Sequence, residues 1–161
     1  MSRSGDVLIL YGSQTGNAEG MSQELFQNLS LLTKRHIFRK SLNEWRTQAD
    51  KSSWEQVIYS TACILIICSS TGNGEFPDNA ERFWRFIKSR KLSKGFFNDI
   101  SFGVCALGDT NYSQFCNAGK NLHKRLTELG GNCLIPLHCI DEVEDLEEQF
   151  GIWNKNICKI V

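Results

Sequence analysis

Val7-Leu8-Ile9-Leu10-Tyr11-Gly12-Ser13-Gln14-Thr15-Gly16-Asn17-Ala18-Glu19 is an apolar run that empties into a hydroxyl- and glycine-rich loop and then opens a helical pattern. The run reads as a strand, and the turn after it has the chemistry of a phosphate cradle. Glycines let backbone N–H groups crowd around an anion, the hydroxyls of Ser13 and Thr15 add donors, and the unpaired N–H groups of the helix's first turn complete the set. The same pattern recurs twice. Ala62 to Cys68 leads into Ser69-Ser70-Thr71-Gly72-Asn73-Gly74-Glu75-Phe76-Pro77-Asp78, and Phe102 to Leu107 leads into Gly108-Asp109-Thr110-Asn111-Tyr112-Ser113-Gln114-Phe115. One such loop is a weak signal, whereas three at one edge of a sheet make a cofactor site.

Between the strands the periodicity turns helical. Ala18, Met21, Leu25, Leu29 and Leu32 make one stripe; Ala80, Phe83, Trp84 and Ile87 a second; Ala118, Leu122, Leu126 and Leu129 a third, stopped by Gly130-Gly131. Leu146, Phe150, Trp153, Ile157 and Ile160 form a closing helix. Further strands are expected at Cys133 to Leu137 and, more weakly, near Ile37 to Arg39. Continuous apolar strands rather than alternating ones are buried on both faces, so this order of elements predicts a doubly wound α/β domain: a five-stranded parallel sheet, order 2-1-3-4-5, with helices on both sides. The second helix is expected to start at Asp78, capped by that carboxylate with Glu81 reaching back. Residues 41 to 60, with Trp45 and Trp54 among polar neighbours, show no clear pattern.

Composition narrows the function. At 161 residues and 41% hydrophobic content the chain suits one domain over residues 1–161. Its 18 basic and 18 acidic side chains cancel, so overall charge points to neither nucleic acid nor membrane. The charge is segregated all the same, with Lys and Arg concentrated in residues 34–51 and carboxylates in residues 141–148. A strand starting at Val7 leaves no room for a leader peptide, and Ala62 to Cys68 is too short to cross a bilayer, so a soluble cytoplasmic protein is expected. The 7 cysteines form no CxxC pair and read as reduced thiols, several of them in the core. No metal site is expected.

Familiar nucleotide motifs fail on particular residues. No lysine lies between Gly12 and Gly20, which excludes a Walker loop, and Gly72-Asn73-Gly74 runs into Glu75-Phe76-Pro77 rather than completing GxGxxG. Neither a GxSxG elbow nor an HExxH zinc motif occurs. A phosphate loop without cations suits a tightly held monophosphate bound by dipoles and hydrogen bonds.

Ser13 to Glu19, Ser70 to Glu75 with Pro77-Asp78-Asn79-Ala80, and Ala106-Leu107-Gly108-Asp109 through Tyr112 to Phe115 resemble the three FMN loops of flavodoxin-like domains. More closely, they are similar to the FMN domain of NADPH-dependent diflavin reductases. Phe83 to Ile87, Gly108 to Tyr112, Phe115 to Lys120 and Lys124 to Gly130 look most like the cytosolic member that feeds iron-sulfur assembly and like methionine synthase reductase. The resemblance implies FMN as cofactor. Ser13, Gln14, Thr15, Gly16, Asn17 and Ala18 would cradle its phosphate, and Tyr112 would stack on the isoalloxazine. Ser70, Thr71, Gly72, Asn73 and Gly74 would edge the ring on one side and Leu107, Gly108, Asp109, Asn111, Phe115, Cys116 and Asn117 on the other. Asp141 or Glu142 would lie near the pyrimidine end. Thr71 stands where some relatives carry a second stacking aromatic, so Trp45, Trp54 and Phe76 are the candidates for that face.

The function so implied is electron transfer. A reductase module holding FAD and NADPH, in cis or in trans, would supply electrons, and a redox protein acceptor of the iron-sulfur or haem kind would take them singly. No acid-base pair is needed and no catalytic residue is assigned. A free-standing flavodoxin and a flavin-free interaction module are the alternatives.

Overall fold

In a computed structural model, residues 5–46 and 53–161 are described. Strands β1 (Asp6–Gly12), β2 (Ile37–Ser41), β3 (Thr61–Ser69), β4 (Ser101–Gly108), β5 (Asn132–Cys133) and β6 (His138–Asp141) alternate with helices α1 (Asn17–Leu32), α2 (Trp54–Ser60), α3 (Glu81–Ile87), α4 (Asn117–Glu128) and α5 (Leu146–Ile160). The strands form one sheet of order β2-β1-β3-β4-β5, with β6 also paired to β4, and every pairing is parallel. From β1 the chain winds outward to β2, then returns to lay β3 on the opposite side. That reversal opens a crevice at the carboxyl edge of the sheet, where ligands of such folds bind.

The apolar runs produce this layering directly. In a strand successive side chains point to opposite faces, so a run apolar in both phases requires cover on both. Leu8, Leu10, Ile64, Ile66 and Phe102 pack with Phe83 and Ile87 of α3 and Leu122 and Leu126 of α4. Val7, Ile9, Cys63, Leu65 and Ile67 pack on the other face with Met21, Leu25 and Leu29 of α1 and Phe150, Trp153 and Ile157 of α5. Register aligns the carboxyl ends: Gly12 lies opposite Cys68, Ser69 opposite Leu107, and Gly108 opposite Asp141. All three glycine loops therefore leave the sheet on the same side.

Three expectations are corrected. The run Cys133 to Leu137 is not one strand. Asn132 and Cys133 pair with β4, the ladder lapses around Pro136, which has no N–H to donate, and pairing resumes at His138, giving six strands where five were expected. The second predicted helix starts at Glu81, not Asp78, and Ala80 rather than a carboxylate occupies the capping position. Pro77 O accepts from the Ala80 and Glu81 N–H groups, and Asn43 Oδ1, from the short 3-10 turn Leu42–Glu44, accepts from Phe83 N at 3.0 Å. Finally, Trp45 is only 3% exposed and packs against Phe83 and Phe86, while Phe76 stacks on Trp84 with centroids 5.0 Å apart. Trp45 belongs to the core and is not available to cover a ligand, while Phe76 is partly buried and packs against the core. The Trp54 side chain, Asp50 and Lys51 lie outside the described residues.

Candidate functional site

The first loop is held at its base and open at its tip. Gly12 must be glycine, because a Cβ there would meet Cys68 Sγ at 2.8 Å and Ala80 Cβ at 2.9 Å. Ser13 N donates to Asn79 Oδ1 at 2.9 Å, and Gln14 Oε1 accepts from Asp78 N at 3.2 Å, tying this loop to the segment before α3. Ser13 Oγ accepts from Gly16 N at 2.9 Å, and Gly16 turns the chain into α1 with φ 103°. Gln14, Thr15, Gly16 and Asn17 are exposed, and Ala18 is buried beneath them. Among the described residues, nothing accepts from the Thr15 hydroxyl or from the N–H groups of Thr15, Asn17, Ala18 and Glu19. These donors converge on the start of a 16-residue helix whose dipole favours an anion.

The second loop is a tight reversal. Thr71 and Glu75 exchange backbone hydrogen bonds at 2.8 Å each, Gly74 N donates to Thr71 O, and Gly72 and Gly74 adopt φ 47° and 92°. A Cβ on Gly74 would strike Gln114 Cβ at 2.6 Å and Asn117 Cβ at 2.7 Å, so this glycine lets the second loop press against the third. Asn117 Nδ2 donates to Gly74 O at 3.1 Å, and Ser70 Oγ accepts from Ala118 N at 2.9 Å. Gly72 and Asn73 stay exposed at the tip, with open space around Gly72.

The third loop is braced from both ends. Gly108 lies so close to its return that a Cβ would sit 2.5 Å from Cys116 N, and Cys116 takes a left-handed conformation, φ 56°. Tyr112 N donates to Asp109 O and Asn111 N to Asp109 Oδ1 at 2.8 Å. Thr110 gives its hydroxyl to Asp141 Oδ2 at 2.6 Å and its N–H to Oδ1 at 3.3 Å, while Glu142 N donates to Gly108 O at 2.7 Å. Gln149 fixes Asp141 from behind by donating to its carbonyl and accepting from its N–H.

Ser70, Gly72, Asp109, Tyr112, Gln114 and Glu142 line a cavity of about 120 Å³, and Tyr112 itself is 52% exposed. The structure thus brings residues of the second loop, the third loop and the segment after β6 onto one surface, at the same edge of the sheet that the first loop leaves. Leu107 and Cys116 are buried, and Phe115 lies under Lys120, whose Nζ is 5.3 Å from the ring centroid. Of the two acidic candidates, Asp141 is spent on bracing Thr110, and its carboxyl is held below its usual range first by that hydroxyl. Glu142 faces the cavity, and burial, with Asp109 and Asp141 nearby, pushes its carboxyl up.

Sequence reading missed several supports: Asn43 and Asn79, which position the start of α3 and the first loop, Gln114 in the cavity wall and Gln149 behind Asp141. Only Asn79 and Gln114 lie within the loop motifs. The other two act across gaps that carry no local signal.

The donor set fits a planar heterocycle carrying a monophosphate. Uncharged N–H and O–H donors at a helix start suit a phosphate, and a half-exposed tyrosine over a shallow cavity suits a flat ring. Comparison with known proteins gives the same direction. The family profile described as Flavodoxin matches residues 9–153. The chain is 39% identical over 124 residues to NADPH-dependent diflavin oxidoreductase 1 of Schizosaccharomyces pombe, covering 77% of this chain and 20% of that protein. It is 34% identical over 154 residues to the sulfite reductase [NADPH] flavoprotein alpha-component of Bacillus subtilis, covering 96% of this chain and 23% of that one. The chain therefore spans only about a fifth of the length of these curated relatives. A C101S mutant of a flavodoxin from Pseudomonas aeruginosa superposes with a TM-score of 0.75 over 96% of this chain and 97% of that one at 24% identity, which shows the shared fold.

Proposed function

This chain belongs to the flavodoxin family, and from that premise we propose that it is the FMN-binding electron-carrying domain of a diflavin reductase. It takes electrons from a module holding FAD and NADPH, in cis or in trans, and delivers them one at a time to a redox protein. The observation that carries the reading is the meeting of Tyr112, Gly72 and Glu142 on one surface beside a cation-free loop with unspent donors. The names of the relatives, diflavin oxidoreductase and sulfite reductase flavoprotein, support the larger assembly.

Bound FMN would supply the redox chemistry, and the protein supplies binding, orientation and electrostatics. The Thr15 hydroxyl and the N–H groups of Thr15, Asn17, Ala18 and Glu19 at the start of α1 hold the phosphate. Tyr112 offers its ring to one face of the heterocycle. Gly72, with open space around it, presents backbone rather than side chain to the ring edge. Asp109, Asp141, Glu142, Glu144 and Asp145 place negative charge around that edge, which steers a basic partner. None of these residues transfers a proton or forms a bond.

The test is a reconstituted relay. The FMN-loaded chain alone should oxidise NADPH negligibly, and should pass electrons to a one-electron acceptor once a reductase module is added. The relay rate should fall between low and physiological ionic strength as salt screens the acidic edge. Rapid NADPH oxidation by the chain alone would contradict the shuttle reading.

A further inference from the structure

Two thiols meet beneath the third loop. Ile140 of β6 points into the core shared with α1 and α5, so Cys139, the neighbouring residue on the strand, points to the opposite face, towards the start of α4. Cys116 stands there, at the residue before α4, with its Sγ 3.4 Å from Ala106 O and 3.6 Å from Ile140 O. Ala106 is the register partner of Cys139 across β4 and β6. The two thiols therefore lie on one face of β6, close enough for each to shift the other's ionisation. Lys120, one turn along α4, lies close enough to favour a thiolate on either sulfur.

The remaining thiols are differently placed. Cys63, Cys68 and Cys105 are fully buried, and burial pushes all three thiols up. Cys158 bonds to Asn154 Oδ1 at 3.5 Å, and Cys133, which is exposed, bonds to Ile135 O at 3.2 Å. Cys116 is buried too, but its sulfur sits against Ala106 and Ile140, the residues that flank Cys139 across the ladder and along β6, and Cys139 is partly accessible to solvent. The neighbouring Cys116 thiol lowers the pKa of Cys139, outweighing the effect of its burial, and Lys120 adds to the lowering, while Cys139 and burial push the Cys116 thiol up. A thiolate that is accessible and next to a second thiol is the arrangement that peroxides oxidise reversibly.

We propose that Cys116 and Cys139 are a peroxide-reactive dithiol that closes to an intrachain disulfide under the loop carrying Tyr112. The sulfur of Cys139 attacks one oxygen of hydrogen peroxide and the O–O bond breaks. The departing hydroxide takes up a proton and leaves as water, so that Cys139 becomes a sulfenic acid. Cys116 then attacks the Cys139 sulfur, the S–O bond breaks, and the hydroxyl leaves as a second water with the proton of the Cys116 thiol. Two thiols have lost two electrons and two protons, and one peroxide has been reduced to two waters. The new bond joins the base of the third loop to the strand that ends at Asp141 and Glu142. It therefore crosses the wall of the cavity, and it forms whether or not a flavin is bound.

The experiment treats the fully reduced chain with a small molar excess of hydrogen peroxide. Remaining thiols are alkylated, disulfides are then reduced and labelled with a second alkylating reagent, and the peptides are read by mass spectrometry. The expected first product carries the second label at both Cys116 and Cys139, with the other five cysteines still in the first-label pool. Cys139→Ser should leave Cys116 reduced under the same treatment, and Cys116→Ser should stop Cys139 at a sulfenic acid that dimedone traps. First oxidation at Cys133 with Cys116 and Cys139 both intact would overturn the proposal, as would oxidation of Cys116 at the wild-type rate in Cys139→Ser. The wild-type labelling pattern decides the matter even if a variant fails to fold.

Discussion

The loop at residues 12–18 and the wall built from residues 108–117 with Asp141 and Glu142 sit on the same sheet edge, yet they use their polar groups in opposite ways. In the wall several groups are spent internally: Thr110 on Asp141, Asn111 N on Asp109, Asn117 on Gly74, and Glu142 N on Gly108 O. In the first loop the Thr15 hydroxyl and the N–H groups of Thr15, Asn17 and Ala18 have no acceptor among the described residues. A wall that satisfies itself keeps its shape without a ligand and contributes surface. On the proposed reading an anion would complete the order of the loop. Binding energy from the loop would then be hydrogen-bonded and dipolar, while that from the wall would come from contact with an aromatic face.

The largest expected effect tests the wall's rigidity. Gly108→Ala drives a Cβ into the Cys116 backbone, which cannot rotate away, and should lower unfolding stability by about 1–3 kcal/mol. Gly16→Ala meets nothing within 4 Å and carries only the strain of its positive φ, about 1–2 kcal/mol. Urea unfolding of the flavin-free chain measures both. If the Gly16 variant is the less stable, the division between a tight wall and an open loop is wrong.

Ligand affinity separates the two regions further. Tyr112→Ala should weaken FMN binding by about 1–3 kcal/mol if its ring stacks as proposed. Thr15→Ala removes one donor and should cost on the order of 1 kcal/mol of affinity. Neither should shift the unfolding midpoint of the flavin-free chain, because neither side chain is used within the fold. Fluorescence titration with FMN gives the affinities, and an unchanged affinity in either variant would remove that residue from the site.

The smallest effects concern the two carboxylates at the end of β6, which respond to acid in opposite senses. The Asp141 pKa is lowered in the fold, so its contribution is present above its unfolded pKa and is lost as pH falls through its folded one. Asp141→Asn should therefore flatten the loss of stability in the acid range. Glu142 has a raised pKa, so its contribution is full below its unfolded pKa and is lost as pH rises through its folded one. Glu142→Gln should stabilise the chain at neutral pH by less than about 1 kcal/mol, and that advantage should vanish where the wild-type carboxyl is protonated. Unfolding midpoints across pH 3 to 8 check both variants.

The parts of this molecule legible in sequence are those encoded locally. The runs around Val7, Ala62 and Phe102 are apolar in both strand phases, and only a sheet covered on both faces accommodates that, so three strands, the flanking helices and the three glycine loops follow. What escaped is encoded at a distance or by a missing group. Pro136 splits an apolar run that otherwise reads as one strand, and β6, His138 to Asp141, has too mixed a character to announce itself. The start of α3 is set by Asn43, 40 residues before the N–H it accepts, which no local capping pattern reveals. In the site, the glycines and Tyr112 stood out through their loop context. The division of labour between Asp141 and Glu142 depends on Thr110 and Gln149 reaching the first and leaving the second on the cavity, and only the tertiary arrangement shows it.

The central claim is that the open loop takes a single terminal phosphate and the wall takes the ring attached to it. Acid precipitation of the protein saturated with flavin, followed by chromatography of the released cofactor and quantitation against protein, tests this most directly. The account predicts one FMN per chain, retained through gel filtration, from a mixture containing equal FMN and FAD. Stoichiometric FAD, or a colourless protein that ignores both flavins, would contradict it.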